Sequence, residues 1–173
     1  MENQRKIFVE NSVSQSNEYN MLMNLSRLSV SKHLVDEHYT LVWANAYYYE
    51  LIGYPKEEYE RLFENRPDKF YQNDPENWKI LVAKVTDTLA KGKSSYQFIG
   101  RMRHKSGRMM WVRFSAIFTE EMLEGHRVAY TVMADVSELQ QTLLEQSITY
   151  NNIPGFIAKF RVVENGFEFV EAN

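Results

Sequence analysis

Residues 94–135 read "SSYQFIGRMRHKSGRMMWVRFSAIFTEEMLEGHRVAYTVMAD", and this stretch decides the fold class. It is rich in β-branched and aromatic residues, and only two short breaks divide it, Lys105-Ser106-Gly107 and Glu124-Gly125. Three long strands joined by tight turns form an antiparallel meander, because parallel neighbours need crossover segments of about a dozen residues or more. A parallel βαβ architecture therefore does not fit, and the class is α+β.

Upstream of the meander, Pro75 starts the longest helix. Trp78, Leu81, Val82, Val85 and Leu89 follow at helical spacing, and Gly92 closes it. Further back, "KHLVDEHYTLVWAN" carries two β-type runs, 32–35 and 40–43, around a polar turn, which reads as a hairpin. Asn45 then opens a helix on "AYYYELIGY" that Gly53 stops, "KEEYERLF" makes a second, and 65–75 is loop with helical turns at most. Residues 18–28 place Met21, Leu22, Leu25 and Leu28 on one face, giving a helix that docks on its own domain or on a second copy. Residues 1–17 are a polar lead-in.

Downstream, the period returns to helical in "ADVSELQQTLLEQSITY". Asp135 with Glu138, or Ser137 with Gln140, supplies a capping box, and Leu139, Leu143 and Leu144 supply an apolar face. "NNIPGFIAKF" then breaks at Pro-Gly and turns to strand, and "NGF" signals another hairpin. The last residues, "VENGFEFVEAN", repeat "VDEHYTLVWAN": Val35, Val42, Ala44 and Asn45 recur 128 positions on as Val163, Val170, Ala172 and Asn173. The expected organisation is a lead-in and flanking helix over 1–30, one domain over 31–136, a connector helix over 137–150, and the severed opening of a second unit over 151–173.

Composition narrows the function classes. The chain has 173 residues, 44% hydrophobic and 14% aromatic, enough for one good-sized core. A net charge of −3 gives no global positive field for nucleic acid or an anionic membrane. Cysteine is absent, which removes disulfides, thiolate metal sites and cysteine nucleophiles. Neither a secretory leader nor an apolar run of about 18 residues is present, so a cytoplasmic location is expected, with no membrane and no nucleic-acid partner. Histidines show no paired metal spacing, and neither a nucleophile elbow nor a phosphate-cradling glycine loop occurs among seven glycines. No catalytic residue and no metal ligand is assigned.

"VDEHYTLVWANAYYYELIGYPKEEY", Asp74-Pro75, Gly92, Tyr96 to Arg101 with Arg103, "KSG" with Trp111, and "DVSE" at 135–138 together resemble a PAS domain of the type with a PAC C-terminal motif, found in bacterial signalling proteins. The resemblance spans 35–138 and implies a five-stranded antiparallel sheet wrapped on one side by helices, holding a small ligand or filled by side chains. It implies a non-catalytic sensory domain whose exit helix passes a packing change to an output domain. Residues 151–173 look like the start of PAS units that precede GGDEF-type diguanylate cyclase domains, with a histidine kinase as the next output. A ligand-free dimerisation module is the alternative, and the family habit points to a homodimer through the flanking helices.

The sequence leaves the cofactor unknown. A flavin-thiol adduct is disfavoured by the missing cysteine, and haem by the missing histidine on 75–91. Asn45 is the expected helix cap. Of the three adjacent tyrosines 47–49, roughly 100° apart on a helix, at most two can enter the core. Phe70, Trp78, Phe98 and Tyr130 are the first candidates to line a ligand site. Arg101 or Arg113, if inward, offers bidentate geometry to a carboxylate ligand. "RMRHKSGR" straddles a hairpin turn and reads as a solvated face. Asp135, Ser137, Leu139 and Leu143 are the candidates for signal transmission.

Overall fold

A computed structural model describes residues 21–22, 25, 27–152, 158–164 and 166–172 of the protein. The chain falls into two compact units, Met1–Val136 and Ser137–Asn173. The lead-in and most of the 18–28 segment lie outside the described residues; Met21, Leu22 and Leu25 are helical and exposed.

In the first unit the elements run β1 (Ser29–Leu34), β2 (Leu41–Ala44), α1 (Ala46–Ile52), α2 (Lys56–Phe63), α3 (Pro67–Phe70), α4 (Pro75–Ala90), β3 (Ser95–Arg103), β4 (Met109–Leu123) and β5 (His126–Asp135). The strands form one five-stranded sheet in the order β2-β1-β5-β4-β3, every pair antiparallel. The meander is thus extended by the first hairpin, whose β1 lies against β5. That pairing also moves the start of β1 from the expected residue 32 back to Ser29, because Ser29, Val30 and Ser31 pair with Met133, Val132 and Thr131.

Strand alternation sorts the sheet into two faces. Tyr96, Phe98, Gly100 and Met102 of β3 share the helix-covered face with Met110, Val112, Phe114, Ala116 and Phe118 of β4 and with Ala129, Thr131 and Met133 of β5. Against them pack Tyr48, Tyr49, Leu51 and Ile52 of α1, Tyr59 and Phe63 of α2, and Tyr71 after α3. Ile52, Tyr59, Met102, Met110 and Val112 are almost wholly buried. Each such side chain contributes about 1.5–3 kcal/mol of burial. Two of the three adjacent tyrosines, Tyr48 and Tyr49, are buried, and Tyr47 packs half-buried beside them.

Two glycines are required by close approach. Gly53 ends α1 with φ 80°, and a Cβ there would run into the His104 imidazole from the β3–β4 turn. Gly100 leaves room for the Phe98 ring, which lies 2.8 Å from where its Cβ would stand, and Phe98 stacks on Phe114 at 5.0 Å.

The second unit comprises α5 (Ser137–Asn152) and a hairpin of β6 (Ala158–Val163) and β7 (Gly166–Ala172). Its pairing repeats that of the first hairpin. Ser31 pairs with Ala44, Lys32 with Trp43 and His33 with Leu41; Ala158 pairs with Ala172, Lys159 with Glu171 and Phe160 with Phe169. Both registers slip at the same step, between Lys32 and His33 and between Lys159 and Phe160, so Val42 and Val170 occupy the same bulge. No helix among the described residues is long and apolar enough to cross a membrane.

Candidate functional site

The helix-covered face of the sheet does not close completely. A cavity of about 70 Å³ remains between β1, β3, β4 and β5 on one side and α1, α3 and α4 on the other. Its apolar wall includes Phe70, Leu81, Val85, Met102, Phe114 and Met133. Its polar lining residues are His33, Tyr39, Tyr48, Tyr71, Tyr96 and Thr131.

The β1–β2 turn places two of these groups. The Asp36 carboxylate accepts the N–H of His38 at 3.1 Å and of Thr40 at 2.9 Å, and the Thr40 hydroxyl at 2.6 Å. Burial opposes the charge on Asp36, but these donors outweigh it and hold its pKa below the ordinary value. The turn so fixed carries Tyr39 at φ 52° and brings its carbonyl to 2.9 Å from His33 Nδ1. A carbonyl can only accept, so Nδ1 carries the proton; the neutral ring then accepts the Ser31 hydroxyl at Nε2, at 2.9 Å, a closer acceptor than the Thr131 carbonyl 3.5 Å from the same hydroxyl. Burial pushes the His33 pKa down, against the pull of the Tyr39 carbonyl and of Asp36. The imidazole is uncharged and both of its nitrogens are committed.

The tyrosines are likewise neutral. Burial raises the pKa of Tyr39, Tyr48, Tyr71 and Tyr96. Tyr48 donates to the Tyr59 hydroxyl at 3.3 Å. Metal-ligating clusters are absent among the described residues. The cavity is lined by apolar side chains and by polar groups that are neutral.

Of the sequence candidates, Phe70 lines this cavity. Trp78 packs at its edge, with Tyr39 at 5.5 Å and Tyr71 at 5.6 Å, but does not line it. Phe98 faces inward beside a separate pocket of about 10 Å³ that Arg101 also borders. Arg101, Arg113 and Tyr130 are corrections: strand parity directs them to the opposite face from Met102, Phe114 and Thr131. Arg101 instead lies over the Trp111 ring at 4.6 Å, and Arg113 is exposed between buried Val112 and Phe114. Tyr130 meets Lys32 at 5.7 Å and Glu121 at 3.4 Å. Neither guanidinium lines the cavity. In "RMRHKSGR", Lys105 pairs with Glu58 and Arg108 reaches Asp135 at 3.6 Å, so the basic charges are dispersed among local partners.

Sequence reasoning missed His33, Tyr39, Tyr71 and Thr131 as lining residues. For Thr131 the signal was available, since period-two alternation in β5 puts 129, 131 and 133 together and excludes 130. For His33 and Tyr39 it was not, because the turn that joins them depends on the Asp36 carboxylate and on a non-glycine residue at positive φ.

Asn45 accepts the N–H of Tyr48 at 3.1 Å and of Val30 at 3.0 Å, and donates to the Leu28 carbonyl at 3.0 Å. At the far end of the sheet, the Val136 N–H donates to the Trp111 carbonyl at 2.8 Å, and Ser137 begins α5 at the next residue. On α5, Leu139 and Leu143 are about half exposed.

No family model matches the chain, and no curated protein matches it. Solved structures do. A sensory box histidine kinase/response regulator from Burkholderia thailandensis E264 is 10% identical, with 78% of this chain and 96% of that chain covered at a TM-score of 0.58. A PAS domain of an HTR-like protein from Haloarcula marismortui is 18% identical, covering 75% of this chain and 98% of that one at 0.52. A PAS domain from a two-component sensor histidine kinase is 16% identical, covering 72% and 98% at 0.51. Likeness at this level of identity establishes the fold: the sheet and its helices are a PAS fold.

Proposed function

We propose that this chain is a non-catalytic sensory domain that binds a small molecule inside the PAS fold and passes the resulting change in packing along β5 into α5. The observation that carries this reading is the cavity, whose wall includes Thr131 and Met133 of β5, a few residues before α5 begins. A bound molecule that favours one packing of Met133 would act on the Asp135–Val136 junction, where Arg108 and the Trp111 carbonyl hold the chain. Such coupling requires a ligand that binds two packings differently. Ser137, Leu139 and Leu143 carry the change onward, and the exposed leucines of α5 favour a homodimer as the state in which it is read.

In this reading 151–173 is the opening of a second PAS unit. The shared bulge of the two hairpins supports it, with Phe160 and Phe169 where the first unit has His33 and Leu41. The output domain of this reading is diguanylate-cyclase-like, because this opening resembles units that precede such domains. A histidine kinase stands next, a description carried by two of the similar structures.

Native mass spectrometry of gently purified protein, set against the denatured chain, tests the ligand reading. A reproducible non-covalent adduct is expected. An adduct-free spectrum, with no mass shift on adding cell extract metabolites, favours the alternative of a ligand-free dimerisation module.

A further inference from the structure

Resting on that reading, we infer that the occupant is a small neutral molecule bearing a hydrogen-bonding oxygen. Size sets the first limit. The cavity measures about 70 Å³, so its occupant is a small molecule.

Charge sets the second limit. No carboxylate, ammonium or guanidinium lines the cavity, and its one imidazole is held neutral with both nitrogens bonded to Tyr39 and Ser31. An ion entering would lose its hydration with no countercharge to replace it. The remaining polarity supplies the third limit. Tyr48 is committed to Tyr59, whereas the hydroxyls of Tyr71, Tyr96 and Thr131 have no hydrogen-bond partner among the described residues. Three uncommitted hydroxyls in an aromatic and thioether wall suit a small ketone, ester or alcohol, whose oxygen they bond while its carbons meet Phe114, Met102 and Met133.

The test uses the whole chain labelled with ¹³C at the methionine methyls, titrated at pH 7 with cyclopentanone and, separately, with butyrate; each probe has the same number of heavy atoms, and only butyrate is charged. Met102 and Met133 methyl shifts that saturate with cyclopentanone, with Met122 unmoved and butyrate without effect, are expected. The Tyr71→Phe/Tyr96→Phe double variant should keep its dispersed spectrum and bind cyclopentanone about five- to ten-fold more weakly. Equal or tighter binding of butyrate, or unchanged affinity in the double variant, overturns the inference. If neither probe binds while a larger molecule is retained in native mass spectrometry, the size and charge assignment falls and the sensory reading stands. If neither probe binds and nothing is retained, both fall.

Discussion

Asn45 and Val30 exchange two hydrogen bonds: the Asn45 N–H donates to the Val30 carbonyl at 3.0 Å, and the Asn45 Oδ1 accepts the Val30 N–H, also at 3.0 Å. One side chain thereby caps α1 and stitches β1 to the end of β2. Asn45→Ala leaves a buried N–H unpaired as well as removing the cap, and should cost about 2–3 kcal/mol by denaturant unfolding. Asn45→Asp keeps the acceptor and loses only the donor to Leu28, so its loss should be smaller. Equal losses for the two would show that the oxygen is not what matters.

Gly53 and His104 make a second such contact. Gly53→Ala should destabilise by about 1–3 kcal/mol, from the left-handed backbone and the collision with the imidazole. Adding His104→Ala should restore the part due to the collision. No recovery in the double variant would place the whole cost in the backbone.

His33 gives the fold a pH dependence of known sign. Its pKa is lower folded than unfolded, so between those two values the unfolded chain binds more protons. Its contribution is fully present above the unfolded value of about 6.5 and is lost as pH falls below it. The unfolding midpoint in urea should drop between pH 7 and 5.5, and His33→Gln should flatten that drop. A variant with the same slope as the parent would remove His33 as its cause.

Ser29 is buried at the start of β1, and its hydroxyl has no hydrogen-bond partner among the described residues. Ser29→Ala should therefore leave stability unchanged or raise it by about 1 kcal/mol, read from the same urea midpoint. A loss beyond that would reveal a hydrogen bond made in solution.

The fold was largely legible because its signals are local. The turns at Lys105-Ser106-Gly107 and Glu124-Gly125, the spacing of Trp78, Leu81, Val85 and Leu89, and the Asn45 and Gly53 helix boundaries all act within a few residues. The pairing of β1 with β5 was hidden because Val30 and Val132 meet across about a hundred residues. The site was hidden for a related reason. Aromatic content marks Phe70 and Phe98, but whether a ring lines a cavity or fills it depends on where Gly100 and Ala129 leave space. Arg101, Arg113 and Tyr130 have side chains suited to a ligand, but strand parity turns them to the face opposite Met102, Phe114 and Thr131.

The most direct test is hydrogen exchange across residues 137–152 with and without cyclopentanone, in the parent chain and in Ala129→Leu, whose larger side chain fills the cavity. Altered exchange in α5 of the parent, absent in the filled variant, is the expected result. Protection confined to 29–136, or an α5 response that survives filling the cavity, would contradict a ligand acting through β5.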